Sequence, residues 1–175
     1  LARGIKEYEK LFENSDVKIK SDEKSIEVNG TLSAGNYEIS GEVSSQYTTG
    51  MLFALSVLDG KSTLKITGNA ESRAYVDMTI KVLKDFGADI AEPEKNFFEN
   101  KGKGRLSPGE FTVEGDWSNA AVLIALSRLV GTISVSGLNE NSVQGDRFLS
   151  VAFDALDGEN AEIDLKDCPD LAPIL

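Results

Sequence analysis

Two stretches of the chain repeat one pattern of apolar and polar positions, about 70 residues apart. Residues 37–68 and 111–137 each begin with a short alternating segment, pass through a glycine and a polar stretch into an apolar run, and end in a second alternating segment and a glycine. Alternation predicts half-buried strands, and the apolar runs at 51–58 and 120–129 predict helices. A repeat of this kind predicts one supersecondary unit built twice.

The pattern predicts strand, helix, strand, helix and strand in each copy, with an extra strand before the next copy. We therefore expect an α/β fold of repeated βαβαββ units, whose uncovered apolar faces can close around buried helices. The helix at 51–58 is apolar nearly all round, which favours such an inside position. Predicted helices are 4–13, 44–58, 72–86 (with Gly87 as left-handed cap), 120–129 and a last one ending near 156; predicted strands are 17–19, 25–28, 37–40, 63–67, 89–91, one starting at 111, one within 131–137, and 161–163.

Composition limits the class of protein. The chain has 175 residues, 41% hydrophobic and 27% charged, which fits one globular domain or parts of two. No apolar run reaches the roughly 18 residues of a membrane helix, and the amino end does not read as a signal peptide. Because no apolar run is long enough, we expect no membrane partner. Because the single cysteine, Cys168, cannot form an internal disulfide, we expect a reducing, cytoplasmic location.

The charge balance excludes further classes. There are 29 acidic and 18 basic residues and no histidine. Phosphate-backbone binding needs clustered cations, so we expect no nucleic acid partner. Without histidine, and with one cysteine, a zinc site is not expected either.

Ser44, Ser45 and Gln46 lie where the first predicted strand gives way to the buried helix. A helix start offers free backbone N–H groups and a positive dipole end, and two hydroxyls with a carboxamide add neutral donors. This is a candidate anion or phosphate site. The alternative from the residues alone is a serine N-cap, which is the interpretation for Ser118 and Asn119 in the second copy.

Three further groups need an interpretation. Ser72 to Tyr75 opens the next helix, where Ser72 can cap and Arg73 and Tyr75 can reach an anion or a hydroxylated ring. Asp170 can act as a base toward a hydroxyl group, or as the N-cap of a helix that follows it. Asp77 and Asp146 occupy equivalent places in the two copies, and we expect both to stabilise helix starts.

These motifs resemble the enolpyruvyl transferase family that includes 3-phosphoshikimate 1-carboxyvinyltransferase, also called EPSP synthase. Ser-Ser-Gln precedes an apolar helix, Ser-x-x-Tyr-x-Asp follows, and Pro-Asp comes much later. The resemblance covers essentially the whole chain, with segments in the family's order at 41–47, 51–55, 72–79, 113–116, 141–146 and 168–173.

The resemblance implies two domains, each an inside-out α/β barrel of three repeated units, with substrates bound in the cleft between them. It implies addition of the 5-hydroxyl of shikimate 3-phosphate to the enol carbon of phosphoenolpyruvate, then loss of inorganic phosphate, in aromatic amino acid biosynthesis. Asp170 would be the catalytic base, and no cofactor or metal is implied. The implied substrate-binding residues are Ser44, Ser45, Gln46 (also near phosphoenolpyruvate), Ser72 and Tyr75.

The chain also departs from the family pattern. Two phosphorylated substrates require lysines and arginines, but the family's amino-terminal lysine segment, Asn-Ala-Gly-Thr loop and later Lys-Glu and arginine motifs are absent. We therefore expect a fragment that is inactive alone, with residues 1–114 from domain one and 115–175 from domain two of a monomeric full-length enzyme. The alternatives are a UDP-N-acetylglucosamine enolpyruvyl transferase, which Ser-Ser-Gln and the lack of a matching reactive cysteine disfavour, and a non-catalytic binding module.

Overall fold

The computed structural model describes residues 4–70, 72–102, 106–107, 109–157 and 162–175. The chain forms two compact units, which we describe separately. The first unit contains the described residues of Leu1–Glu71 and Thr79–Pro108, and the second those of Ser72–Met78 and Gly109–Leu175.

The first unit contains a two-stranded ribbon and a four-stranded sheet. The ribbon pairs β1 with β2 in antiparallel orientation. The sheet has the order β3-β4-β6-β5, in which β3 and β4 are parallel and the other pairs antiparallel. From β3 onward the element order is the predicted βαβαββ. The elements are α1 (Lys6–Leu11), β1 (Lys18–Ser21), β2 (Ile26–Asn29), β3 (Asn36–Ser40), α2 (Ser45–Ser56), β4 (Ser62–Thr67), α3 (Arg73–Asp85), β5 (Ile90–Glu94) and β6 (Phe97–Asn100).

Alternating apolar residues build the core of this unit, as the sequence pattern predicts. Leu64 on β4 and Phe98 on β6 are cross-strand partners, and both are 1% exposed. Helix α2 buries one side of its apolar surface, through Met51, Leu52 and Leu55. Its opposite side is not buried, since Phe53 and Val57 are exposed. The expected all-round burial of this helix is therefore wrong for the described residues.

Gly87, after α3, has φ +91°, which confirms the predicted left-handed cap.

Helices make up the regular structure of the second unit. Beyond the first residues of α3, they are α4 (Trp117–Val130), a 3-10 helix (Gly145–Phe148), α5 (Leu149–Leu156) and a short 3-10 helix (Pro169–Leu171). Ala121, Leu149, Phe153, Cys168 and Leu171 form the core. Leu149 and Leu171 are fully buried, and Cys168 is 5% exposed.

The strands predicted for the second copy are wrong where the structure describes them. Residues 109–157 and 162–175 contain no strand, and the start of the one predicted at 161–163 lies outside the described residues. A strand needs a neighbour to accept its ladder hydrogen bonds. Here one backbone bond, from Gly115 N to Gly137 O at 3.1 Å, links two of the predicted strand regions.

The described sheets therefore form a mixed α/β structure and do not close into a barrel. No sheet of the described residues covers α4. Its apolar side chains are therefore exposed at Val122, Leu123, Leu126, Leu129 and Val130. No helix within the described ranges is long and apolar enough to cross a membrane.

Candidate functional site

The start of α2 holds the first group of predicted site residues. Strand β3 ends at Ser40, and Gly41 N donates to Thr67 O at 2.9 Å, at the carboxyl ends of the parallel pair β3 and β4. Ligands of open α/β sheets bind at this end of the strands. Gly41 is required there, because a Cβ would lie 2.7 Å from Ile66 Cγ2 and 2.8 Å from Asn69 O.

Ser44 is the N-cap of α2. Its backbone is extended, with φ −172° and ψ 135°, and its hydroxyl oxygen accepts a hydrogen bond from Gln46 N at 3.3 Å. The capping role that the residues alone allow is therefore present. It occupies one acceptor lone pair and leaves the hydroxyl proton free for a ligand.

The side chains of Ser45 and Gln46 do not take part in the cap. Ser45 is half-buried and Gln46 is exposed, and neither side chain has a hydrogen-bond partner among the described residues. A 12-residue helix starts here, so its first N–H groups point away from the helix body. One capping serine with two unused polar neighbours is an arrangement that can receive an anion.

The start of α3, in the second unit, holds the next group. Ser72 is half-buried, with φ +52°, a left-handed conformation that is uncommon for a residue with a Cβ. Its carbonyl oxygen accepts a hydrogen bond from Tyr75 N at 3.1 Å. Arg73 forms an ion pair with Asp77, with 2.7 Å between Nη2 and Oδ1. Asp77 therefore balances a cation within the helix.

Tyr75 and Asp170 meet within the second unit although 95 residues separate them in sequence. The Tyr75 hydroxyl donates to Asp170 Oδ2 at 3.3 Å. Asp170 is exposed and lies inside the 3-10 helix Pro169–Leu171, whose N-cap is Cys168. The N-cap alternative for Asp170 is therefore not observed. Burial of Cys168 and Leu171 on either side fixes the backbone that carries this carboxylate.

Burial is the main cause that raises the pKa of Tyr75, and the negative charges of Asp146 and Asp170 raise it further. The hydrogen bond with Asp170 also raises this pKa, whereas one with Ser118 lowers it. Tyr75 is thereby a neutral phenol at physiological pH and a hydrogen-bond donor to the aspartate. Burial likewise raises the pKa of the Cys168 thiol, with the charges of Asp146, Asp167 and Asp164 adding to the effect.

Helix α4 starts differently from the sequence prediction. Asp116, not Ser118 or Asn119, is its N-cap, and the carboxylate accepts from Ser118 N at 2.8 Å and from Asn119 N at 3.2 Å. The Ser118 hydroxyl instead donates to the buried carboxylate of Asp146. The charged carboxylate of Asp116 is a stronger acceptor than a serine hydroxyl for the free N–H groups of a helix start. This explains why α4 is capped at 116 and not two residues later, at Ser118.

Sequence reasoning also missed a network around the carboxamide of Gln144. Gln144 Oε1 accepts from Trp117 N at 2.9 Å, while Nε2 donates to Gly115 O at 2.9 Å and to Glu114 Oε1 at 3.1 Å. Ser142 and Asn139 also donate to the Glu114 carboxylate. The signal was in the motifs at 113–116 and 141–146, since the first contains two carboxylates, which only accept, and the second contains amide and hydroxyl groups that can donate to them.

A cavity of about 500 Å³ in the second unit borders this network. Arg73, Arg147 and Phe148 are among its lining residues. The structure gives both cations protein partners, because Arg73 pairs with Asp77 and Arg147 Nη1 donates to Glu140 O at 2.9 Å. The described residues contain no group of three or more histidine, cysteine or acidic side chains that could hold a metal ion.

The chain is a mixed α/β protein. The starts of its helices present hydroxyl and carboxamide groups, and in its second unit Tyr75 forms a hydrogen bond with Asp170. The sequence model of the family described as EPSP synthase (3-phosphoshikimate 1-carboxyvinyltransferase) matches residues 2–170. The chain belongs to this family, which confirms the resemblance seen in its motifs.

Proteins named 3-phosphoshikimate 1-carboxyvinyltransferase align along nearly the whole chain. That of Brachyspira hyodysenteriae is 35% identical, over 99% of this chain and 46% of its own length. Those of Clostridium acetobutylicum and Clostridium novyi are 34% and 33% identical, over 99% and 100% of this chain and 44% of their own length. The chain thus spans less than half the length of these relatives.

Proposed function

We propose that this chain forms part of an enzyme that transfers the carboxyvinyl group of phosphoenolpyruvate to the 5-hydroxyl of shikimate 3-phosphate. The observation that carries the proposal is the pairing of Asp170 with Tyr75 in a chain that matches the family over residues 2–170. Family membership supplies the reaction, and the pairing places a carboxylate beside a second residue that the motifs assign to the same substrate.

Asp170 is the proposed catalytic base. Tyr75 donates to its Oδ2, and no described residue hydrogen bonds to Oδ1, which leaves that oxygen to accept the proton of the 5-hydroxyl. As the hydroxyl oxygen bonds to the enol carbon of phosphoenolpyruvate, the neighbouring methylene carbon takes up a proton and becomes a methyl group. Loss of a proton from that methyl group then restores the double bond, while the bond from the enol carbon to the phosphate oxygen breaks and inorganic phosphate leaves. A carboxylate held by one hydrogen bond is suited to this proton transfer.

Phosphate binding is assigned to the two helix starts. Ser44, Ser45 and Gln46 at the start of α2 and Ser72 before α3 are the proposed ligands of the 3-phosphate, with Gln46 also near phosphoenolpyruvate. The position of these residues at a helix start, and the side chains of Ser45 and Gln46, which have no hydrogen-bond partner among the described residues, support this role. Neutral donors cannot balance two phosphorylated substrates, so we expect the chain alone to be inactive.

The finer description of the fold is part of the same proposal. We infer that the βαβαββ unit belongs to an inside-out α/β barrel and that residues 1–114 and 115–175 belong to different domains of the full-length protein. The segment Gly109–Leu175, which makes up most of the second compact unit, and the exposed apolar side of α4 support this inference. A monomeric state and a cytoplasmic location stay predictions.

The test is a chimera in which this chain replaces the matching segment of the Brachyspira hyodysenteriae relative. We expect it to release inorganic phosphate from phosphoenolpyruvate when shikimate 3-phosphate is present, and Gln46→Ala and Ser44→Ala to weaken shikimate 3-phosphate binding in calorimetry. A folded chimera without turnover would contradict the proposed function. Wild-type affinity in both variants would contradict the assignment of the phosphate site.

A further inference from the structure

Gly145 lies where three segments of the second unit meet. It is the first residue of the 3-10 helix Gly145–Phe148. A Cβ built on it would lie 2.8 Å from the carbonyl oxygen of Asp167 and 3.0 Å from the Cβ of Ala74. Both distances are shorter than the 3.4 Å at which ordinary contacts begin. Its φ is not positive, so this position requires glycine because of space and not because of backbone conformation.

The two neighbours of Gly145 belong to the segments that carry the proposed reacting groups. Ala74 lies in the first turn of α3, directly before Tyr75. Asp167 lies three residues before Asp170, just ahead of the short 3-10 helix that contains this carboxylate. Gly145 is therefore in close contact with both the helix turn that carries Tyr75 and the loop that leads to Asp170.

The segment that carries Gly145 is fixed on both sides. On one side, the carboxamide of Gln144 is held by three hydrogen bonds. On the other side, Leu149 is fully buried in the core of the unit. Because both sides are held, an added methyl group cannot retreat, and it has to displace the carbonyl group of Asp167 and the side chain of Ala74.

We propose that Gly145 is a positioning residue, whose missing side chain sets the distance between the helix turn of Tyr75 and the loop of Asp170. The Tyr75 hydroxyl donates to Asp170 Oδ2 at 3.3 Å, which is already longer than most O–H···O hydrogen bonds. A methyl group at 145 would lie 2.8 Å from Asp167 O, about 0.6 Å closer than the ordinary 3.4 Å, so the loop has to move by about this amount. The proposal deepens, and rests on, the proposed function of Asp170 as base.

The first test uses the 175-residue chain and needs no turnover. Gly145→Ala should weaken the NOE between the ring protons of Tyr75 and the Cβ protons of Asp170, because the methyl group drives their segments apart. Gly109→Ala is the matched control, since a Cβ there meets none of the described residues within 4 Å. An NOE of equal strength in the two variants would overturn the proposal.

The second test measures turnover in the chimera. Gly145→Ala should lower kcat about tenfold, since a misplacement of about 1 Å can cost about 100-fold in rate. The KM for shikimate 3-phosphate should change little, because the closer contact is with the loop of Asp170 and not with the turn that follows Ser72. Gly109→Ala should leave both constants unchanged.

A double variant separates spacing from stability. Gly145→Ala combined with Ala74→Gly gives the new methyl group room to move away from Asp167 O, so kcat should rise above that of the single variant. Glycine in a helix lowers stability, so the double variant should be more active and yet less stable, which a purely structural role of Gly145 does not allow.

Two results in a chimera that turns over would overturn the proposal. One is a kcat of Gly145→Ala equal to that of Gly109→Ala, and the other is a double variant no more active than the single variant. A wild-type chimera without turnover would contradict the proposed function alone, because the NOE comparison does not depend on turnover.

Discussion

Gln144→Glu should destabilise the second unit, although the substitution replaces one polar group by another of the same size. Only a carboxamide can accept from Trp117 N through one atom and donate to Gly115 O and Glu114 Oε1 through the other. A carboxylate keeps the first bond, loses both donated bonds, and faces the Glu114 carboxylate. Glutamine is therefore favoured at this position because its carboxamide has both an acceptor oxygen and N–H donors.

The magnitude follows from the bonds that are lost. A hydrogen bond to a charged group contributes about 1.5–3 kcal/mol and a neutral one about 0.5–1.5 kcal/mol, so the two together contribute about 3 kcal/mol. Repulsion between the two carboxylates adds to this loss. The expected loss of unfolding free energy is larger than that of most single substitutions, so denaturant unfolding can measure it.

Trp117 provides the assay. It is the single tryptophan, 7% exposed, and its backbone N–H bonds to Gln144, so its fluorescence reports unfolding of the second unit in urea. Gln46→Glu is the matched control, because that side chain is exposed, has no described partner and lies at a helix start that favours negative charge. We expect the control to leave the Trp117 transition unchanged.

The loss should also depend on pH. Neighbouring acceptors raise the pKa of the introduced carboxyl above its unfolded value of about 4.3. A group with a raised folded pKa is protonated in both states at low pH, so the deficit relative to the wild-type chain should shrink below about pH 4 and grow as pH rises through the folded pKa. A deficit under about 0.5 kcal/mol at pH 7 would refute this account of the network.

Three further predictions concern single positions. Gly41→Ala should cost about 2 kcal/mol in urea unfolding followed by circular dichroism, because the new Cβ meets Ile66 and backbone atoms below 3 Å; a change within error would contradict the close packing. Ser72→Gly should stabilise the chain by about 1 kcal/mol, because it removes a left-handed residue with a Cβ. The same variant should weaken shikimate 3-phosphate binding in the chimera. Lower stability would refute the conformational argument, and unchanged affinity would refute the role of Ser72 in binding. Cys168 should react with iodoacetamide far more slowly at pH 8 in the native chain than in urea, since burial raises its pKa; equal rates would contradict its place in the core.

Local pattern predicts the first copy well. Its strands and helices follow alternation, apolar runs and glycine positions, and the parallel pairing of β3 with β4 follows from the helix between them. The second copy has the same pattern without the sheet. Ile133 and Val135 alternate as strand residues do, but alternation supplies no partner for their backbone, and the described part of the second unit supplies none either.

The candidate site is predictable only in part. Ser44 to Gln46 is visible because its polar residues exceed what one cap needs. The contact of Tyr75 with Asp170 spans 95 residues, and no local rule joins them. Asp146 resembles any acidic residue at a helix start, and its burial against Ser118 depends on packing that spacing does not encode.

The most direct test of the account is the turnover of the chimera carrying Asp170→Asn beside that carrying Asp154→Asn, a change at an exposed carboxylate on α5. Removing a general base typically costs about 10²–10⁴ in rate, so kcat should fall at least 100-fold in the first variant, with shikimate 3-phosphate affinity retained and the second variant unchanged. Turnover of Asp170→Asn equal to that of Asp154→Asn would contradict the assignment of Asp170 and the mechanism built on it.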